Sequence, residues 1–365
     1  MNTNIKIYGT LLVLLLTAFS CGKSSNPVDD PVINGFDKTA MLTNYADNLI
    51  ILAYTDMQEK LQLLVPSVNV FLAAPNLANQ QAVLLVFKAA YLSFERTSFS
   101  QFGPAETVLY TNFMNTLPAT TNDNSDLQKI EVNITSGSYN LSQNSTVNQQ
   151  GFPALDYLLF SADAVQQFSA ANSASRKKYV LDVLTRMQDL TTGVLSTWKS
   201  SYRAQFIANT KSDAGSPIGY MVNQFAYEMD QLKGPRIGWP FGKQSGGIVF
   251  ENKCEGYYSA ISLALAIENL IHLKLLYTGG SLDKGLSSYL IALGKDQLNQ
   301  SILSNFDNTI SKLKAIPDPL AASLTNNKTA VDAAYKAIQT LLTSLKTDMA
   351  SALSVRITYV DNDGD

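Results

Sequence analysis

Apolar side chains return every three or four residues along most of this chain, and that period restricts the fold more than any motif does. Between residues 36 and 64, Leu42, Ala46, Leu49, Ile50, Ala53, Met57, Leu61 and Leu64 form the stripe of an amphipathic helix. Pro66 is expected to kink or end it, because proline lacks a backbone donor and collides with the preceding turn. A second helix is expected over Ala78–Phe102, stopped by Gly103 and Pro104, and a short third over Ala105–Met114. Residues 116–150, rich in Thr, Asn, Ser and Gly, break the period and are expected to be partly loop. The period resumes near Pro153 and continues over Ser175–Ile207 and Ile218–Leu232. Lys233–Gly247 holds too much Gly and Pro for a helix and reads as a connection between two halves. Further helices are expected over Gly256–Tyr277, Ser281–Lys314 with a break near Gly294, and Lys328–Ser354. Only Val355–Tyr359 has the alternation of a strand. The fold class is all-α, with two helical-bundle halves at 36–174 and 175–365. At 365 residues, 46% of them hydrophobic, the chain is long enough to bury two core units.

The first 35 residues stand outside this pattern. Lys6 precedes the apolar run Leu11–Leu16, and small residues lead to Cys21, so residues 1–20 read as a secretory signal. The run is about half the ~20 residues that span a bilayer, which disfavours a retained transmembrane helix. Cys21 stands where a lipobox places its lipidated cysteine, although Phe19 replaces the usual small residue two positions earlier. Residues 21–35, polar and punctuated by proline, read as a flexible tether. The expected address is extracytoplasmic: a membrane-anchored lipoprotein, on the periplasmic face or the cell surface of the outer membrane. The lipid would be its sole membrane contact. With Cys21 acylated, only Cys254 remains, so no internal disulfide can form.

The side-chain inventory excludes several function classes. A formal charge of −3 without a long basic run offers no electrostatic footprint for nucleic acid. The single histidine, His272, cannot build a His-rich zinc site, and no C-x2-C pair replaces it. His272 follows Glu268 by one helical turn, and the two read as an ordinary surface pair rather than a metal grip. The tail Asp361–Asp365 begins like a calcium loop but ends before the distal glutamate such a loop needs, and reads as a solvated acidic end. No catalytic residue, metal ligand set or cofactor is indicated.

Two segments carry polar groups into apolar surroundings. The helix expected from Gly256 is apolar nearly all round, yet Glu255, Ser259, Ser262 and Asn269 fall on one stripe at helical offsets. Such groups must be satisfied by an internal network, by water or by a ligand. The second segment is Gly151–Phe160. There Pro153 suits a first helical position and Asp156 an N-terminal turn, so by itself it reads as a helix start.

Taken together, these stretches resemble the imelysin-like family of extracytoplasmic helical proteins. Gly151–Phe160 is similar to the family's G-x-H-x-x-E segment. Glu255–Ser259 followed by Leu276–Gly279 is similar to its second-half helix, and Phe94–Arg96, Phe102–Pro104 and Lys233–Gly242 also fit. The resemblance implies that the two halves pack around a shared cleft, with Arg96, Asp156, Arg236, Glu255 and Ser259 facing it. Where the motif has histidine this chain has Pro153, and where it has glutamate it has Asp156, so the metal ligation or peptidase chemistry suggested by the motif loses its imidazole. Asp156 is then expected to orient Arg96 or Arg236 through a charge-assisted bond. The reading that follows is a non-enzymatic binding or uptake-accessory protein whose pocket holds a small polar ligand, related to iron through the family's association with iron uptake. Two alternatives fit the same sequence: a metal-dependent peptidase-like hydrolase, and a surface adhesion or assembly component contacting a partner protein through residues 116–150.

Overall fold

The computed structural model describes residues 35–117 and 124–359. The signal segment, Cys21, most of the tether and the acidic tail lie outside the described residues. Helix α1 (Lys38–Asn44), capped by the Asp37 carboxylate on the Ala40 N–H, passes through a π-helical turn at Tyr45–Ile50 into α2 (Ile51–Ala73). Pro66 neither ends nor bounds α2. It lies on the exposed side, while Leu61, Leu64, Val68 and Phe71 are buried around it. The apolar burial of that stripe offsets the lost hydrogen bond, a defect worth ~3 kcal/mol.

After an Asn76 cap, α3 (Leu77–Thr97) returns along α2. It stops five residues short of the expected end, because the hydroxyls of Thr97, Ser98 and Ser100 bond back to the carbonyls of Phe94, Glu95 and Thr97. The short helix expected at 105–114 is two pieces, α4 (Pro104–Thr107) and α5 (Tyr110–Met114), separated by Leu109 in a left-handed conformation. The polar stretch after it contains an unexpected helix, α6 (Asn124–Ser136), whose buried Ile130 and Ile134 keep the helical period that its Asn, Thr and Ser content obscures. A 3-10 turn at Asn144–Gln149 leads into α7 (Gly151–Phe160). The helix begins at Gly151 and not at Pro153, so Asp156 lies beyond the first turn.

After α8 (Ala164–Ser169), α9 (Ala174–Thr197) runs through a second π-turn at Trp198–Tyr202 into α10 (Arg203–Ala208). Helix α9 packs on α2, α5, α6 and α7. Next, α11 (Pro217–Gln231) starts from a Ser216 cap. The Gly- and Pro-rich connection was expected to be non-helical, but its first part, Leu232–Gly238, is a third π-helical turn continuing α11. Its wider spiral tolerates Pro235 because the pattern there is not the ordinary i to i−4 ladder. Residues 254–261 form turns rather than the first turns of the next helix, with Gly256 and Ala260 at φ +58° and +57°. Helix α12 therefore begins only at Ser262 and ends at Thr278.

The chain closes with α13 (Leu286–Ala292), α14 (Asp296–Lys314), α15 (Leu320–Asn326), α16 (Lys328–Thr343), a π-turn at Ser344–Met349 and α17 (Ala350–Ala352). No strand forms among the described residues. Val355–Tyr359 is extended but bonded to a side chain, Asn223 taking the Thr358 N–H at 2.7 Å and giving a bond to the Arg356 carbonyl at 3.0 Å. No helix among the described residues is long and apolar enough to cross a membrane.

One bundle gathers α2, α3, α7 and α9, and the other gathers α11, α12, α14 and α16. Helix α12 packs on α3 as well as on α14, which makes the α3–α12 contact the joint between them. His272 belongs to that joint and is not a surface residue. It is buried beside Arg96 and bonded to the backbone there, and burial together with the Arg96 charge depresses its pKa to about 3. An unfolded imidazole protonates near 6.5. Between roughly pH 6.5 and 3 the unfolded chain thus binds a proton that the folded chain refuses, and stability falls as pH drops through this window. Urea unfolding of wild type and His272→Gln across this range should show the two midpoints converging as pH falls. A gap independent of pH contradicts the buried neutral histidine.

Candidate functional site between the bundles

Glu95 sits on the buried face of α3, one turn after Tyr91, where the apolar stripe of Val83, Phe87 and Phe94 would otherwise continue. Its Oε2 accepts from Arg236 Nη1 at 2.5 Å. Arg236 comes from the π-turn after α11, and its buried guanidinium also lies 3.2 Å from Glu255 Oε2. Glu255, on the turn before α12, accepts through Oε1 from Asn115 Nδ2 at 2.6 Å and lies 3.3 Å from the Tyr91 hydroxyl, which donates to Asn115 Oδ1 at 2.7 Å. A third carboxylate, Glu228 of α11, accepts from Ser98 Oγ (3.1 Å), Asn269 Nδ2 (2.8 Å) and Gln101 Nε2 (3.2 Å). Three separate stretches of chain, α3, α11 with its π-turn, and the turn before α12, thus place charge in one buried region.

Desolvation opposes every one of these charges. It pushes the Glu95 carboxyl well above the carboxylate range, against the pull of Arg236. Desolvation also works against the charged form of Arg236, but Glu255, Glu95 and Glu228 together outweigh it and hold the guanidinium protonated. Several buried polar atoms lack a hydrogen-bond partner: Glu95 Oε1, Glu255 Oε2, Arg236 Nε and Asn269 Oδ1. Beside them is a cavity of about 50 Å³ whose wall includes Ser98, Gln101, Asn115, Glu228, Gln231 and Arg236. That is room for a few water-sized groups.

Asp156 stands at the edge of this cluster and holds backbone, not an arginine. Its Oδ2 accepts from the Tyr258 N–H at 2.9 Å and its Oδ1 from the Ser259 N–H at 3.0 Å, so α7 clasps the turn that carries Glu255. Burial raises the Asp156 pKa to about 6, while the bonds from Ser259 and Tyr258 pull it down. Gly151 lets α7 begin close enough for this: at φ +72°, a Cβ there would overlap the Met114 carbonyl oxygen. Tyr91 and Phe152 stack with ring centroids 4.2 Å apart, fixing α3 against the same end of α7.

Of the five residues expected at the cleft, Arg236, Glu255, Asp156 and Ser259 therefore come together. Arg96 does not. Its side chain is 39% exposed on another face of α3, where Nε pairs with Glu268 Oε1 at 2.6 Å and Nη1 with Asp56 Oδ2 at 3.2 Å. Consecutive residues on a helix point about 100° apart, so when Glu95 faces the core its neighbour must leave it. Glu268 is occupied by that arginine rather than coupled to His272. The expected stripe of Glu255, Ser259, Ser262 and Asn269 is buried, but Glu255 and Ser259 reach it from a turn and not in helical register. Glu95, Glu228, Tyr91 and Asn115 were missed. The first two had a signal, a carboxylate falling on the apolar stripe of its own helix.

The sequence profile of the Imelysin (peptidase M75) family matches residues 50–348. The chain belongs to the Imelysin family. A curated relative, iron-regulated protein A of Synechococcus elongatus, is 21% identical over 346 residues, covering 90% of this chain and 88% of that protein. Two solved structures share the fold. An imelysin-like protein from Psychrobacter arcticum superposes with a TM-score of 0.71 at 18% identity, over 88% of this chain and 97% of that one. An iron-regulated protein A precursor from Parabacteroides distasonis gives 0.70 at 18% identity, over 89% and 97%. In this chain Pro153 is buried within α7, and Asp156 of the same helix serves as a backbone clasp.

The two arginines provide a direct comparison. Arg236→Met would leave buried carboxylates without their counter-charge and should cost about 3–5 kcal/mol. Arg96→Ala removes a partly exposed pair and should cost about 1 kcal/mol or less. Chemical denaturation measures both, and equal losses at the two positions would contradict the assignment of Arg236 to the buried centre.

Proposed function

We propose that this chain is a lipid-anchored, extracytoplasmic binding or uptake-accessory protein without enzymatic activity, and that it holds a small polar ligand in the crevice beside Arg236 and Glu228. The observation that carries the reading is a set of buried, partly unsatisfied charges next to a small polar cavity, at the joint of two bundles. Unpaired buried polar atoms are costly, and a ligand that supplies their partners binds there with gain. In this reading the first half extends through α9, which packs on α2, and the ligand contacts both halves at once.

The residues to which catalysis would first be assigned suit it poorly. Pro153 has neither a proton to transfer nor a lone pair for a metal, and His272 is held neutral beside Arg96. The neighbouring thiol of Cys254 is pushed up to about 12 by burial, which keeps it protonated and weakly nucleophilic. An iron-related role enters through the iron-regulated proteins that this chain resembles. The lipid anchor rests on Cys21 and the apolar run before it.

A thermal-shift screen with iron salts, ferric chelates and small polar metabolites tests the proposal. A ligand at a hundred times its Kd stabilises the folded form by ~2.7 kcal/mol, which a melting curve resolves. At least one compound should raise the melting temperature of wild type and fail to do so with Glu228→Gln or Gln101→Ala. Peptide hydrolysis by the purified chain, or a shift that both variants retain, would overturn the reading.

A further inference from the structure

The three glutamates of the cluster are not equivalent, and the difference lies in how many donors each has. Glu228 is served by Ser98, Gln101 and Asn269. Glu255 is served by Asn115, lies within reach of the Tyr91 hydroxyl and faces Arg236. Glu95 has Arg236 Nη1 alone, and the same nitrogen is the one Glu255 faces. Both carboxylate oxygens left without a hydrogen bond near Arg236, Glu95 Oε1 and Glu255 Oε2, are acceptors. Glu95 is thus a buried carboxylate with one unpartnered oxygen and a single cation that it shares with Glu255, and a proton on it removes the poorly compensated charge.

We propose that Glu95 carries a proton at neutral pH, bound at its unpartnered Oε1, so that the inter-bundle cluster is a reversible proton site coupled to the charge of the crevice. The proton comes from solvent and returns to it. With it the three carboxylates and one guanidinium sum to −1, and without it to −2. The groups that face Glu95 are Tyr91 on its own helix, Arg236 and Glu228 from α11 and the turn after it, and Glu255 from the turn before α12. Asp156 of α7 contributes negative charge to Tyr91 and Glu255 in the same cluster. Arg236 is the only cation among them, and it is shared. Burial, the largest influence on Glu95, acts in the same direction. Raising the external pH, or binding a cationic group in the crevice, would release the proton; acid would restore it.

Carboxyl-carbon NMR on the full chain labelled at glutamate side chains tests this without any ligand. At pH 7 an ordinary glutamate is protonated in roughly one molecule in 500. One glutamate should instead show the signal of a protonated carboxyl in most molecules, and that signal should vanish in Glu95→Gln. Glu255→Gln, which removes the facing charge, should move the titration of the same signal toward the ordinary glutamate range and covers the case in which Glu95→Gln does not fold. A spectrum in which every glutamate is ionised at pH 7 overturns the proposal. So does a protonated signal whose titration Glu255→Gln leaves unmoved, or one that appears only after metal is stripped with EDTA.

Discussion

A guanidinium held out of water among carboxylates from separate chain segments is the interaction on which this structure turns. Taking such charges from solvent costs several kcal/mol per ion, and only close opposite charges and well-placed donors return it. The arrangement is therefore exacting rather than simply stabilising. α3 must present Glu95 inward, the π-turn after α11 must deliver Arg236, and the turn before α12 must bring Glu255 within 3.2 Å of it. Misplacing any one would leave the others buried and uncompensated. The cluster specifies how the two bundles meet more strictly than their apolar contact surfaces do.

Local irregularities make this convergence possible. A regular helix through 232–238 would turn Arg236 by a different angle, and the wider π-spiral there changes the face it presents. The turn at 254–261, with Gly256 and Ala260 in left-handed conformations, carries Glu255 beside α3 instead of along α12. Asp156 then locks that turn by accepting two consecutive peptide N–H groups. Asp156 thus positions the cluster from behind.

The helical class and most helix limits were legible because apolar side chains keep the 3.6-residue period wherever one face is buried. The errors arose where another interaction overrode it. Pro66 was expected to kink or end its helix, and it does not end it, because it sits on the solvent side of a stripe that holds the helix together. The end of α3 was placed too late because hydroxyl bonds back to carbonyls do not show in periodicity. Within the cluster, Arg236, Glu255, Asp156 and Ser259 were found by their likeness to family segments. Arg96 was expected there by the same likeness, but the face of the helix turns its neighbour Glu95 inward instead. Glu95 and Glu228 could have been found by asking which charges interrupt an apolar stripe. Asn115 carries no such mark, since its role depends on a partner 140 residues away.

The most direct measurement of this account is a double-mutant cycle between Arg236 and Glu255, using Arg236→Met and Glu255→Gln and reading stability from urea unfolding. If one buried ionic centre joins the bundles, neutralising Glu255 should cost far less, or even help, once Arg236 is gone, with a coupling of about 2 kcal/mol. Additivity within about 0.5 kcal/mol would show that the two side chains act independently and would contradict the central claim.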